Sequence, residues 1–307
     1  MTEPGVSVGV SVGVGVGFEF PPRKVSWLKR DTLLFNLSIG CKADEPQFVY
    51  LNTQEVIDFH ATQGAVRIPG VPDLDPARLV DGDRTIQILK PLPVTSQGRD
   101  FEFRSRVLGV YDKGKGGATV LDLEDVLVDA ASGDVYARNI GCLFYVGQGG
   151  WGGPRRGPAR ARKFPPPEGK APDLVFELQV DEQAAHLYRL NGDYNPLHAT
   201  PEYGDMMGYG GIIMHGVYAY NRIAHEIVRE LGAGDPASLR EMSARFAGPV
   251  KPGDRVRVEL WKTAGGGVDA EDGWMDVRWA ATVDATGRAC LTGGRAVVRA
   301  PKLPSKI

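Results

Sequence analysis

The feature that most restricts the fold is a break in the middle of the chain. Residues 147–172 are crowded with glycine and proline and carry little apolar periodicity. On either side the pattern is similar: a helical segment, then strands with alternating apolar residues. In the second half Val256, Val258 and Leu260 alternate with Arg255, Arg257 and Glu259, and Met275, Val277, Trp279, Ala281 and Val283 do the same. In the first half Phe101, Phe103, Ser105 and Val107 alternate along one segment, and two further apolar segments flank an Ala131-Ser132-Gly133-Asp134 turn. Period-two alternation between turns predicts antiparallel strands with one face on a core. A long helix laid against such a sheet is the α+β solution. The expected organisation is a low-complexity tail over 1–23, a first half over 24–146, a linker over 147–172, a second half over 173–300 and a short tail over 301–307.

The helix of the second half is plain. Val217, Tyr220, Ala224, Ile227, Val228 and Leu231 recur at three- and four-residue steps, the stripe of a helix with one buried face. Gly216 then stands at or near the helix start. Unpaired backbone N–H groups and the positive dipole end favour negative charge there, so a carbonyl oxygen would be polarised as in an oxyanion hole. Taken alone, the glycine is explained equally well as a small residue that permits close helix packing.

Just upstream, the run Asn191-Gly192-Asp193-Tyr194-Asn195-Pro196-Leu197-His198 puts a carboxylate, an amide and an imidazole in one short loop. Asp193 and His198 are of types whose pKa can be tuned for proton transfer. Asn195 can donate and accept at once, which suits holding a water between them. Gly192 and Pro196 let the backbone turn tightly and then stay fixed. A polar turn ahead of a helix is the bland alternative, and it leaves this density of chemistry unexplained.

Composition narrows the class. The 307 residues are 42% hydrophobic and 24% charged, enough to bury a sizeable core. A net charge of −2 gives no electrostatic footprint for nucleic acid, and the basic stretch over 155–163 is interrupted by glycine and proline and reads as a solvated linker. No window has the apolar length needed to span a bilayer. Cys41, Cys142 and Cys290 are odd in number and unpaired in spacing, which argues against a disulfide framework or a zinc site and for a reducing compartment. The valine- and glycine-rich start lacks a basic n-region and a leucine-rich core, so it reads as a mobile tail rather than a signal peptide.

The run over 191–198, followed by Met214-His215-Gly216, resembles the signature of the (R)-specific 2-enoyl-CoA hydratases. These are the hydratase 2 group of the MaoC-like dehydratases, which includes the hydratase part of the peroxisomal multifunctional enzyme. Ala244-Arg245-Phe246-Ala247-Gly248-Pro249-Val250 is similar to the strand after the family's central helix, and Leu89-Lys90-Pro91-Leu92-Pro93, Asp112-Lys113-Gly114 and residues 146–153 resemble segments of its first half. The similarity covers roughly residues 24–300. It implies a double hot-dog fold: two antiparallel sheets, each wrapped on a long helix, joined edge to edge. With no second Gly-Asp-x-Asn-Pro-x-His in residues 1–150, it also implies one catalytic half and one that houses the acyl tail.

The activity so implied is reversible hydration of trans-2-enoyl-CoA to (R)-3-hydroxyacyl-CoA, in fatty-acid β-oxidation or a related acyl or polyketide pathway. Asp193 and His198 would move the protons, Asn195 would orient water or thioester, and Gly216 would supply the oxyanion N–H. Asp81, Gly82, Lys113, Tyr194, Pro196, Leu197 and Phe246 are expected to contact substrate. No metal or redox cofactor is expected, and the partners are the acyl-CoA substrate and a second copy of the chain. Two departures from the family stand out. Residues 48–67 are shorter than usual, which bears on acyl length, and Asp81-Gly82 replaces a common His-Gly. A hot-dog thioesterase and a catalytically silent acyl-CoA-binding protein are the alternatives. Without the loop's context, His60, His186 and His225 read as ordinary surface or packed histidines. Ser305-Lys306-Ile307 differs by one residue from a peroxisomal address and predicts that compartment, with the cytoplasm as the alternative.

Overall fold

The computed structural model describes residues 13–41, 67–75, 78–157, 164–263 and 273–300. Five strands come from the first half: β1 (Arg23–Lys24), β2 (Leu79–Ile88), β3 (Phe101–Asp112), β4 (Thr119–Asp129) and β5 (Val135–Tyr145). Five come from the second: β6 (Leu174–Gln179), β7 (Leu239–Phe246), β8 (Arg255–Thr263), β9 (Trp274–Val283) and β10 (Arg288–Arg299). They form one antiparallel sheet in the order β1-β3-β4-β5-β2-β7-β10-β9-β8-β6. The halves meet where β2 pairs with β7, from Asp83 opposite Arg245 to Gln87 opposite Glu241. Each half thereby covers an edge of the other that would otherwise present unpaired backbone groups. Two sheets joined edge to edge is the expected arrangement.

Four α-helices are described: α1 (Lys29–Ser38), α2 (Ala184–Tyr188), α3 (Pro201–Met206) and α4 (Gly216–Leu231). The stripe in α4 does what its spacing predicts. Tyr220, Ile223, Ile227 and Leu231 are buried against β7, β10 and β2, where Met242, Leu291 and Ala296 face them. Ile223 is fully buried, and truncating such a residue to alanine costs roughly 2–5 kcal/mol because the cavity left behind only partly collapses. The alternation in β8 and β9 also appears as burial, with Val256, Val258, Leu260, Val277, Trp279 and Ala281 all inside. The shortened segment over 48–67 lies almost wholly outside the described residues, as does Ser305-Lys306-Ile307.

Three features depart from the expected organisation. The chain is no free tail by residue 17. Gly17 donates to the Val107 carbonyl at 3.0 Å and Phe20 to that of Ser105 at 2.9 Å, so the segment runs along the outer edge of β3. Phe18 and Phe20 pack edge to face over Val107, Val110 and Leu121, which gives this stretch an apolar anchor. Next, the glycine-rich stretch after β5 is fastened rather than loose. The Asp112 carboxylate accepts N–H bonds from Gly150 at 2.6 Å and from Gly114 and Gly152 at 2.7 Å. These bonds, Gly150's foremost, hold its carboxyl down to about 2. Finally, α1 belongs to the first half in sequence but packs on the second. Ser38 Oγ accepts from Asn191 Nδ2 at 2.8 Å, and Ile39 and Cys41 join the second half's core.

Candidate active site

The loop after α2 is built by local hydrogen bonds. The chain leaves α2 through the 3₁₀ turn Arg189–Asn191, and Gly192 reverses it at φ 116°, a left-handed angle that favours glycine. Asp193 Oδ1 then accepts from the Asn195 N–H at 3.1 Å, and Asn195 Oδ1 from the Leu197 N–H at 3.0 Å. Pro196 opens a second 3₁₀ turn, Pro196–His198, at the position where a missing N–H costs nothing. Leu197, fully buried, pins the turn to the core. The result is a loop whose backbone is set before any substrate arrives.

Two buried imidazoles lie behind the loop. His198 Nδ1 is 2.9 Å from the Ile213 carbonyl oxygen. A carbonyl only accepts, so that nitrogen carries the proton and Nε2 is left with a lone pair. The His215 ring stacks on His198 with centroids 3.8 Å apart. Its Nε2 is 3.1 Å from the Asp193 backbone carbonyl and 3.8 Å from the Asp193 carboxylate, so His215 donates to the loop it backs. Burial pushes both rings toward the neutral form. For His215 the added repulsion of a charged His198 takes it to about 4, while the Asp193 carboxylate partly restores His198. Tyr188 packs on His215 at 5.1 Å, its hydroxyl accepting from Asn221 Nδ2.

A cavity of about 260 Å³ opens in front of these groups. Asp193, Asn195, Leu197 and His198 line it from the loop, Gly216 from the head of α4, Phe246 from the end of β7 and Asp81 from the start of β2. As the first residue of α4, Gly216 bears one of the backbone donors that a helix leaves unpaired. The Phe246 ring leans on it: a Cβ at 216 would stand 2.9 Å from Phe246 Cδ1. Cys290 is also in the wall, but burial raises its thiol to about 11, so it stays protonated and is a poor nucleophile near neutral pH. Asp193, His198 and His215 offer ligand atoms within 4.8 Å of one another. The two rings are nearly parallel, at 27°, which aims their nitrogens side by side rather than at one ion.

Seven of the residues expected at the site therefore meet in one cavity: Asp81, Asp193, Asn195, Leu197, His198, Gly216 and Phe246. Four do not line it. Tyr194 turns outward, 59% exposed, under the Arg189 guanidinium. Pro196 serves the turn. Gly82 forms a bulge in β2 against the Phe144 ring. Lys113 follows β3, where its ammonium donates to the Arg155 carbonyl at 3.1 Å. His215 is the residue the sequence reading passed over. Its place beside Gly216 was visible, but a histidine between an apolar run and a helix carries no mark of the loop it supports.

Residues 163–284 match the MaoC like domain family, and residues 26–147 match the MFE-2 hydratase 2 N-terminal domain. The chain is 41% identical to a probable dehydratase, NIT22, of Ajellomyces capsulatus, over 92% of this chain and 81% of the relative. It is 31% identical to 3-hydroxyacyl-thioester dehydratase Y of Mycobacterium tuberculosis, over 80% and 85%. The structure of a MaoC-like dehydratase from Phytophthora capsici superposes with a TM-score of 0.75 at 24% identity, covering 96% of this chain and 99% of that one. Fold and cavity together define a double hot-dog protein with one carboxylate–imidazole site. The chain belongs to the MaoC-like dehydratase family and is a hydro-lyase, its first half of the hydratase 2 type.

Proposed function

We propose that the protein catalyses reversible syn addition of water to a trans-2-enoyl-CoA, giving the (R)-3-hydroxyacyl-CoA. The observation that carries this reading is the convergence of Asp193, His198 and the first N–H of α4 on one cavity. The thioester oxygen accepts from Gly216, so charge that develops on it as the double bond is attacked falls at the positive end of the helix. Water sits between the Asp193 carboxylate and His198 Nε2, oriented by Asn195. The oxygen adds to C3 and a proton reaches C2. The pair takes one proton from the water and returns one, so both groups end as they began. His215 holds the Asp193 carbonyl and stays neutral, so it adds no competing charge.

The test is turnover of crotonyl-CoA and decenoyl-CoA, followed by loss of the conjugated enoyl absorbance and by the stereochemistry of the product. Asp193→Ala and His198→Ala should each lower kcat by roughly 10²–10⁴, the range for a positioned proton-transfer group, with melting nearly unchanged. Asn195→Ala should lose less, since only positioning is removed. Wild-type rates in either proton-transfer variant overturn the mechanism, and release of free CoA thiol without a hydroxyacyl product would mark a thioesterase.

A further inference from the structure

The cavity holds a second carboxylate that the proton transfer leaves unused. Asp81 lines it, and its Oδ1 accepts from Arg84 Nη2 at 3.0 Å. In a regular strand, residues three apart project to opposite faces. Here they share one. Gly82 is an extra residue between the Asp81–Leu143 and Asp83–Cys142 pairs, so the register shifts and Arg84 comes to stand opposite Gly141, on the face that α4 covers. The bulge favours a glycine, because a Cβ at 82 would lie 2.2 Å from the Phe144 ring. The strand is thus bent in a way that turns an ion pair inward.

A plain hydrocarbon chain gains nothing from such a pair. Partly dehydrated charges with 19% and 27% of their side-chain surface exposed are costly beside apolar carbon unless something polar meets them. The pair has capacity to spare. Among the described residues the Asp81 carboxylate has Arg84 as its one partner, through Oδ1, which leaves its second oxygen for another donor. The charges of Asp81 and Arg84 reach His198 and Tyr188 respectively, so the pair stands beside the catalytic loop rather than at a remote end. A hydroxyl that enters the cavity can donate to the Asp81 carboxylate, which Arg84 braces from behind. A carboxylate cannot, since it would confront Asp81 and Asp193 together.

Building on the hydration reading above, we propose that Asp81, held in place by Arg84, selects a 2-enoyl thioester whose acyl chain carries a hydroxyl group close to the reacting carbons. The experiment compares kcat/KM for 2-octenoyl-CoA with that for its 5-hydroxy and 6-hydroxy derivatives. Wild-type protein should favour the better hydroxylated substrate by roughly 10- to 100-fold, the range for a hydrogen bond to a charged group. In the paired Asp81→Leu/Arg84→Leu variant, which removes both charges together, the ratio should fall to about one. Arg84→Lys, which keeps a cation beside Asp81 but loses the guanidinium that fixes its carboxylate, should retain an intermediate preference. Calorimetric binding of octanoyl-CoA and of its 5-hydroxy and 6-hydroxy derivatives supplies a readout independent of turnover, with melting as the folding control. Equal or lower kcat/KM for both hydroxylated substrates, with 2-octenoyl-CoA turned over, overturns the selection and leaves the hydration reading intact. If no enoyl thioester is turned over, hydration fails and calorimetry decides: tighter binding of a hydroxylated chain supports the pair's role, and equal binding overturns it.

Discussion

Gly216→Ala separates the helix-terminal N–H from the rest of the site, and its effect can be worked from the packing. The new Cβ would meet Phe246 at 2.9 Å from Cδ1 and 3.1 Å from Cε1. Carbon atoms prefer about 3.5–4.0 Å, so the ring must turn away or the head of α4 must lift by several tenths of an ångström. Overpacking of this kind costs roughly 1–3 kcal/mol, and exchanging glycine for alanine in a helix returns up to about 1 kcal/mol. The fold should therefore survive with a melting shift of only a few degrees. Catalysis should not be so tolerant. An oxyanion donor works at about 2.7–3.1 Å, and losing one costs roughly 10²–10³ in kcat, so a fall of about 10² is expected when crotonyl-CoA absorbance is followed. Phe246→Ala removes both clashing atoms, so the double variant should lose less than the product of the two single losses. A Gly216→Ala protein with kcat within twofold of wild type would refute the donor role, and purely multiplicative losses would refute the route through the ring.

Three further outcomes are expected. His215 titrates lower in the folded protein, at about 4, than the roughly 6.5 of an unfolded histidine. Its contribution to stability is thus present above about pH 6.5 and drains away as the pH falls toward 4. Urea midpoints from pH 7 to pH 4 should fall less steeply in His215→Phe than in wild type, and equal slopes would contradict this. Gly82→Ala should cost about 1–3 kcal/mol, because its Cβ would strike Phe144; an unchanged urea midpoint would show that the bulge yields freely. We also propose delivery to the peroxisome through Ser305-Lys306-Ile307, tested by imaging an N-terminal fluorescent fusion with and without those residues. Diffuse signal from the intact fusion, in a host whose receptor accepts isoleucine there, would reject it.

Local patterns were legible, and long-range ones were not. The stripe of α4 and the alternation of β8 and β9 follow from one buried face each, so periodicity suffices. The loop over 191–198 announces itself because Asx turns and Gly192 act within a few residues. The placement of α1 on the other half depends on Ser38 meeting Asn191, 153 positions away, and no local preference encodes that. Asp112-Lys113-Gly114 resembles a family segment, but nothing near it points to the partners of Asp112, since Gly150 and Gly152 lie beyond two more strands. The pairing of Asp81 with Arg84 hinges on a bulge, and a three-residue spacing in a strand argues against it until Gly82 is seen to add a step.

The ladder between β2 and β7 ties the fates of the two halves together. The first half carries no second Gly-Asp-x-Asn-Pro-x-His run, yet β2 supplies both a wall of the cavity and the strand on which β7 closes. Damage far out in the first half, on β4 for instance, would therefore surface as an enzymatic defect even though no reacting group is touched. Shortening the protein to its catalytic half would leave β7 with a bare edge, prone to recruit strands from other molecules.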